Sequence, residues 1–136
     1  IESCHDEEVL SWLENHVCLI PMFPRRPGCS VVDGKNVTPE KVSSLTSAAQ
    51  RCWDAILSRD LTAFANAFRD SFNAQIAMFP AMMQPGVEQD IDRWKDKALA
   101  WKMLGAGGGG YLALVVDEIP DAEDVITIKI RRKDSF

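Results

Sequence analysis

A run of glycines is the part of this sequence whose composition points most directly to chemistry. The run consists of Gly105, Ala106, Gly107, Gly108, Gly109 and Gly110. A hairpin turn between two strands needs only one or two glycines, and each further glycine costs up to about 1 kcal/mol of chain entropy relative to alanine. Such a run is therefore expected where bare backbone N–H groups must approach a phosphate group or a tightly packed neighbouring loop. Composition alone leaves a flexible hairpin as an equal alternative.

The residues on either side of the glycine run exclude two familiar nucleotide-binding motifs. The run matches Gly-x-Gly-x-x-Gly, but the dinucleotide-binding fingerprint requires a helix directly after it, because the helix N-terminus holds the pyrophosphate. Here the apolar segment YLALVV, residues 111–116, follows and predicts a buried strand. No Gly-Lys-Ser/Thr sequence closes the run, so it is not a Walker A loop either. The sequence therefore predicts a glycine loop between two strands.

Three basic side chains are candidates for substrate binding. Arg25 and Arg26 lie in a segment punctuated by prolines and glycines, residues 23–35. An arginine there offers forked donors to an acceptor sugar or a phosphate, and a solvated loop end or an ion pair with another domain is the alternative. Lys102 precedes the glycine run on a predicted strand, where it faces phosphate or forms a salt bridge. No acid, cysteine or histidine has the partner spacing of a general base or a metal site, so we predict no catalytic residue and no metal site in this chain.

The helices and strands predicted along the chain determine where the glycine run and the three basic side chains lie. Apolar residues at helical spacing predict helices near residues 5–14, 39–56, 61–79 and 87–94. Thr38, followed by a proline, and Asp60 are the predicted capping residues of the second and third helices. Apolar runs or alternation predict strands at residues 16–22, 99–104, 111–116 and 125–131. This order predicts an α+β domain in which helices pack on one face of an antiparallel sheet of about four strands.

Length, charge and cysteine content narrow the class of protein. The 136 residues suit one domain, residues 1–136. The net charge of −5 argues against nucleic-acid binding, which needs a clustered basic surface. No apolar run reaches the length of a membrane span, so we expect no membrane partner. The four cysteines form no close pair, which predicts reduced thiols in a cytoplasmic protein.

The ten residues from Lys102 to Tyr111, with the Leu-Ala-Leu-Val that follows, carry a family resemblance. They resemble the third conserved motif of the galactokinase, homoserine kinase, mevalonate kinase and phosphomevalonate kinase (GHMP) superfamily. The similarity is greatest to the sugar-kinase branch that contains fucokinase-like and heptose-phosphate kinases, and it covers about residues 16–132. It implies a ferredoxin-like C-terminal domain, whose glycine loop lies beside the phosphates of ATP. By position, the backbone donors would belong to Gly105, Ala106, Gly107 and Gly108.

The resemblance also implies a partner. In that superfamily an N-terminal domain of the same polypeptide carries a Gly-Leu-Gly-Ser-Ser-like phosphate loop, and this chain contains no such segment. We therefore expect the chain to be inactive alone and to complete a kinase that uses ATP and Mg²⁺ to phosphorylate a sugar or sugar phosphate. An apolar patch beside the glycine run is expected on the isolated domain, which also allows a homodimer. The alternative is a non-catalytic ferredoxin-like regulatory or protein-interaction module.

Overall fold

The computed structural model describes residues 3–22, 36–80, 83, 86–104 and 110–132. Arg25, Arg26 and the glycine run from Gly105 to Gly109, which carry predictions made above, lie outside the described residues. Four helices are present in the described part of the chain. They are α1 (Glu7–His16), α2 (Pro39–Ser58), α3 (Leu61–Met78) and α4 (Val87–Trp94).

The predicted capping residues begin the two long helices. The Thr38 hydroxyl accepts a hydrogen bond from the backbone N–H of Lys41 at 3.2 Å, and Pro39 occupies the first helical position, where its missing N–H costs nothing. The Asp60 carboxylate accepts from the N–H of Ala63 at 3.0 Å. Each cap satisfies an N–H group that has no partner within its helix. Both capping predictions are confirmed.

The four described strands form one antiparallel sheet. They are β1 (Val17–Pro21), β2 (Ala100–Met103), β3 (Tyr111–Val115) and β4 (Ile126–Thr127), in the spatial order β2-β3-β1-β4. β1 and β3 are the central pair, in a register that places Cys18 opposite Leu114. The predicted α+β class with a four-stranded antiparallel sheet is confirmed, and the arrangement is consistent with a ferredoxin-like fold.

Apolar side chains are buried on both faces of the sheet. Leu114 belongs to a cluster with Trp94 of α4, whereas Val115, which points to the opposite face, belongs to a cluster with Phe64 of α3. Both strand residues are fully buried, as the apolar run predicts for a central strand. The helical layer expected on one face is therefore shared between the two faces, and α3 contributes to both because its Phe72 packs in the first cluster.

The last strand is shorter than the sequence predicts. The predicted strand covers residues 125–131, but only the two residues of β4 pair with β1. Beyond them the backbone N–H of Ile130 donates to the carboxylate of Glu14 at 2.6 Å, so this N–H bonds to α1 instead of a strand. The Arg132 guanidinium forms ion pairs with Glu14 and Glu7, at 2.9 and 2.6 Å. A hydrogen bond and two ion pairs thus hold the end of the described chain against α1.

Candidate functional site

The glycine run joins two neighbouring antiparallel strands, β2 and β3. Met103 pairs with Leu112, and the N–H of Leu104 donates to the carbonyl of Tyr111 at 3.1 Å. Gly110, the last residue of the run, has φ = 87°, a backbone conformation that glycine adopts much more readily than other residues. The strand–glycine–strand context predicted from the sequence is therefore present, and it is not the strand–glycine–helix context of a dinucleotide-binding loop.

The segment that carries the two arginines leaves the sheet beside the glycine run. The N–H of Met22, which follows β1, donates to the carbonyl of Gly110 at 2.8 Å, and Pro21 is paired with Tyr111. The described end points of the two candidate segments therefore meet at one end of the sheet. The sequence alone did not predict this adjacency, because it depends on which strands are neighbours.

Lys102 lies on β2, and its side chain lies on the α2–α3 side of the sheet. Its ammonium group donates a hydrogen bond to the hydroxyl of Ser71 on α3. Burial lowers the pKa of Lys102 below its ordinary value. Within the part of the chain that the structure describes, no carboxylate forms an ion pair with it. Among the described residues the partner of Lys102 is thus a neutral hydroxyl, and both alternatives for Lys102, facing phosphate and forming a salt bridge, stay predictions.

An apolar groove lies beside Lys102, between the sheet and α2. Its volume is about 400 Å³. Its walls are mainly apolar side chains, among them Leu13, Ile56, Phe64, Phe68, Ala113 and Ile128. Lys102 is the only charged residue among the described residues that line it, and Ser71 and Cys52 are the other residues with polar or polarisable side-chain groups. Leu104, directly before the glycine run, forms part of the lining as well.

The groove exists because α2 covers the sheet incompletely. The apolar stripe of α2 predicted from its periodicity includes Val42, Ala49, Cys52 and Ile56, and the simplest interpretation of such a stripe is core packing. In the structure Val42 and Ala49 are exposed, and Cys52 and Ile56 are half-buried. The buried residues of α2 are Ala48 and Ala55, so the core-packing interpretation is wrong for Val42 and Ala49. The spacing also gave no indication that part of this face lines an open groove.

A metal-binding cluster and a membrane-spanning helix are both absent from the described residues. These residues contain no group of three or more His, Cys, Asp or Glu side chains placed to hold a metal ion. None of the helices α1 to α4 has the length and apolar character that crossing a bilayer requires.

Comparisons with known proteins find a solved structure of similar fold. No protein-family model matches this chain, and no curated protein matches it. Among solved structures, the chain is similar to a Campylobacter jejuni protein described as a candidate sugar kinase, with a TM-score of 0.53 and 16% sequence identity. The similarity covers 93% of this chain and 38% of that protein's chain. At this identity the match demonstrates a shared fold, and this chain spans well under half the length of the larger protein.

Proposed function

We propose that this chain is the C-terminal domain of an ATP-dependent sugar or sugar-phosphate kinase of the GHMP type. The observation that carries the proposal is the glycine run between two antiparallel strands, in a fold that matches part of a larger candidate sugar kinase. The motif from Lys102 to Tyr111 supports the same assignment. The observed similarity is between the fold of this chain and part of a candidate sugar kinase. The GHMP assignment, the contact with ATP and the cytoplasmic location are parts of the proposal.

The glycine run is proposed to donate backbone hydrogen bonds to the phosphates of ATP. Phosphoryl transfer depends on positioning and on charge stabilisation from several directions. Gly105, Ala106, Gly107 and Gly108 would supply neutral donors from one side, with no side chain larger than the methyl group of Ala106 in the way. When bound, ATP supplies the transferred phosphoryl group and Mg²⁺ neutralises phosphate charge. We propose that the protein ligands of Mg²⁺ come from the N-terminal half of the complete polypeptide.

The surroundings of the glycine run support a second domain at this end of the sheet. Leu104 and Tyr111 flank the run, and both are exposed, by 41% and 45%. Large apolar side chains exposed together are typical of a surface that another domain covers. We propose that the N-terminal domain of the same polypeptide packs here and that phosphoryl transfer needs both parts.

Arg25 and Arg26 are proposed to contact the acceptor. Their segment begins one residue after Met22, whose N–H bonds to Gly110, so it starts beside the proposed phosphate loop. A guanidinium there could donate two parallel hydrogen bonds to a sugar or sugar phosphate. Replacing both arginines with alanine in the complete polypeptide should raise the KM for the acceptor, and an unchanged KM would remove this role.

The experiment that tests the proposal is a screen of ATP consumption. The complete polypeptide that contains this chain is incubated with ATP, Mg²⁺ and a panel of sugars and sugar phosphates, and ADP is measured for each. We expect one acceptor class to stimulate ADP formation, and we expect the 136-residue chain by itself to be inert. Absence of stimulation across the panel would favour the non-catalytic ferredoxin-like module instead.

A further inference from the structure

We propose that the apolar groove between the sheet and α2 binds a small molecule with an apolar body and one carboxylate group, which Lys102 and Ser71 hold. The groove shares Leu104 with the surface on which the N-terminal domain is proposed to pack, but binding of this ligand does not depend on the kinase function. The site is assigned from the shape of the groove and from the placement of a single cation in it.

The size and walls of the groove fit a small apolar body. A volume of about 400 Å³ falls within the range of roughly 300–1,000 Å³ found for small-molecule pockets. Phe64 and Phe68 of α3, Ile56 of α2 and Leu13 of α1 contribute apolar surface from three separate helices. A ligand bound there would remove this surface, and its own, from water, which is the main source of affinity in such sites.

The ammonium group of Lys102 gives the groove its charge preference. Lys102 is half-buried and has no carboxylate partner among the described residues, and its pKa is lowered because burial disfavours the charged form. Its described hydrogen bond goes to the Ser71 hydroxyl and uses only one of its three donors. An anion that enters the groove would therefore meet a cation already partly stripped of water.

The number of donors favours a carboxylate over a phosphate. The Lys102 ammonium and the Ser71 hydroxyl together present one donor to each of the two oxygens of a carboxylate. A phosphate would bring a second negative charge and further oxygens into a groove whose other described walls are apolar, and burying polar groups without partners is costly. We therefore propose a monocarboxylate, because its single negative charge matches the single positive charge of Lys102 in the groove.

The test measures binding of octanoate by isothermal titration calorimetry to the complete polypeptide, without ATP. Octanol, with the same chain and no charge, and inorganic phosphate, with charge and no chain, are the reference ligands. We expect octanoate to bind more tightly than either. Lys102→Met should weaken octanoate roughly 10- to 100-fold, the range for losing a hydrogen bond to a charged group, while Lys102→Arg keeps most of the affinity. Lys95→Met, at an exposed lysine of the segment after α4, is the matched control and should change nothing.

A second pair of variants tests the position of the ligand independently of charge. Ala49 is exposed and lines the groove, so Ala49→Phe should fill its entrance without disturbing the core and should abolish octanoate binding. Ala63→Phe, at an exposed alanine of α3 outside this groove, should bind octanoate normally. Equal binding of octanol and octanoate, or octanoate binding that survives both Lys102→Met and Ala49→Phe in folded variants, would overturn the proposal. Because the titration contains no nucleotide, its outcome is independent of the kinase screen.

Discussion

The requirement for glycine at position 110 can be tested with two substitutions. Gly110 has φ = 87°, and a Cβ built on it would have no atom of the described residues within 4 Å. Within that part of the chain a side chain would meet no steric obstacle, so the expected cost of substitution comes from the backbone conformation. Gly110→Ala should lower the free energy of unfolding by about 1–2 kcal/mol, the penalty for a left-handed conformation in a residue with a Cβ. Gly110→Asn should lower it less, because asparagine adopts this region more readily.

Thermal and urea unfolding, followed by circular dichroism, would measure the difference. For a domain of this size the alanine variant should unfold about 3–10 °C below the unsubstituted chain. The backbone conformation is held in place because the Gly110 carbonyl accepts the N–H of Met22 at 2.8 Å, so it cannot relax without losing that bond. An alanine variant as stable as the unsubstituted chain, or asparagine as damaging as alanine, would refute the reasoning.

Three further predictions concern acid stability, the core and thiol reactivity. The hydrogen bond from the Arg132 guanidinium lowers the pKa of Glu7 from its ordinary 4.5 to about 2. The stability that Glu7 contributes is therefore complete above pH about 4.5 and is lost as the pH falls towards about 2. Urea unfolding at several pH values should show this loss of stability, and the loss should be smaller in Arg132→Met. Leu114 lies in the fully buried centre of β3, so Leu114→Ala should lower the free energy of unfolding by about 2–5 kcal/mol. Leu57 is exposed, and Leu57→Ala should lower it by less than about 0.5 kcal/mol. Equal losses in the two variants would contradict the assigned core. Burial raises the pKa of the Cys18 thiol to about 11, so labelling of Cys18 by a thiol reagent at neutral pH, followed by mass spectrometry, should be no faster than unfolding.

Local signals made much of the fold predictable. Thr38 and Asp60 mark helix starts because a short polar side chain that satisfies a free N–H is favoured there in any tertiary context. The continuous apolar run that contains Leu114 predicts a strand buried on both faces, since no polar face is left for solvent. These inferences need only neighbouring residues, and the structure confirms them.

The parts that local signals missed depend on contacts between distant residues. The alternation after residue 124 predicts a long strand, but the carboxylate of Glu14 takes the N–H of Ile130, more than a hundred residues away. Strand alternation places Lys102 on the face opposite Met103, yet whether that face holds a groove depends on how closely α2 approaches the sheet. The meeting of Met22 with Gly110 likewise follows from the pairing of β1 with β3, which no local pattern encodes.

The proposed contact between the glycine run and the phosphates of ATP is tested most directly by steady-state kinetics of one variant. In the complete polypeptide, Gly107→Val would place a branched side chain where bare backbone is proposed to meet phosphate. We expect kcat/KM for ATP to fall by about 100-fold or more, because the added side chain would hold the phosphates away from the backbone donors, and losing a transition-state donor typically costs that much. A valine variant with the kinetics of the unsubstituted enzyme would contradict the proposed role of the glycine run.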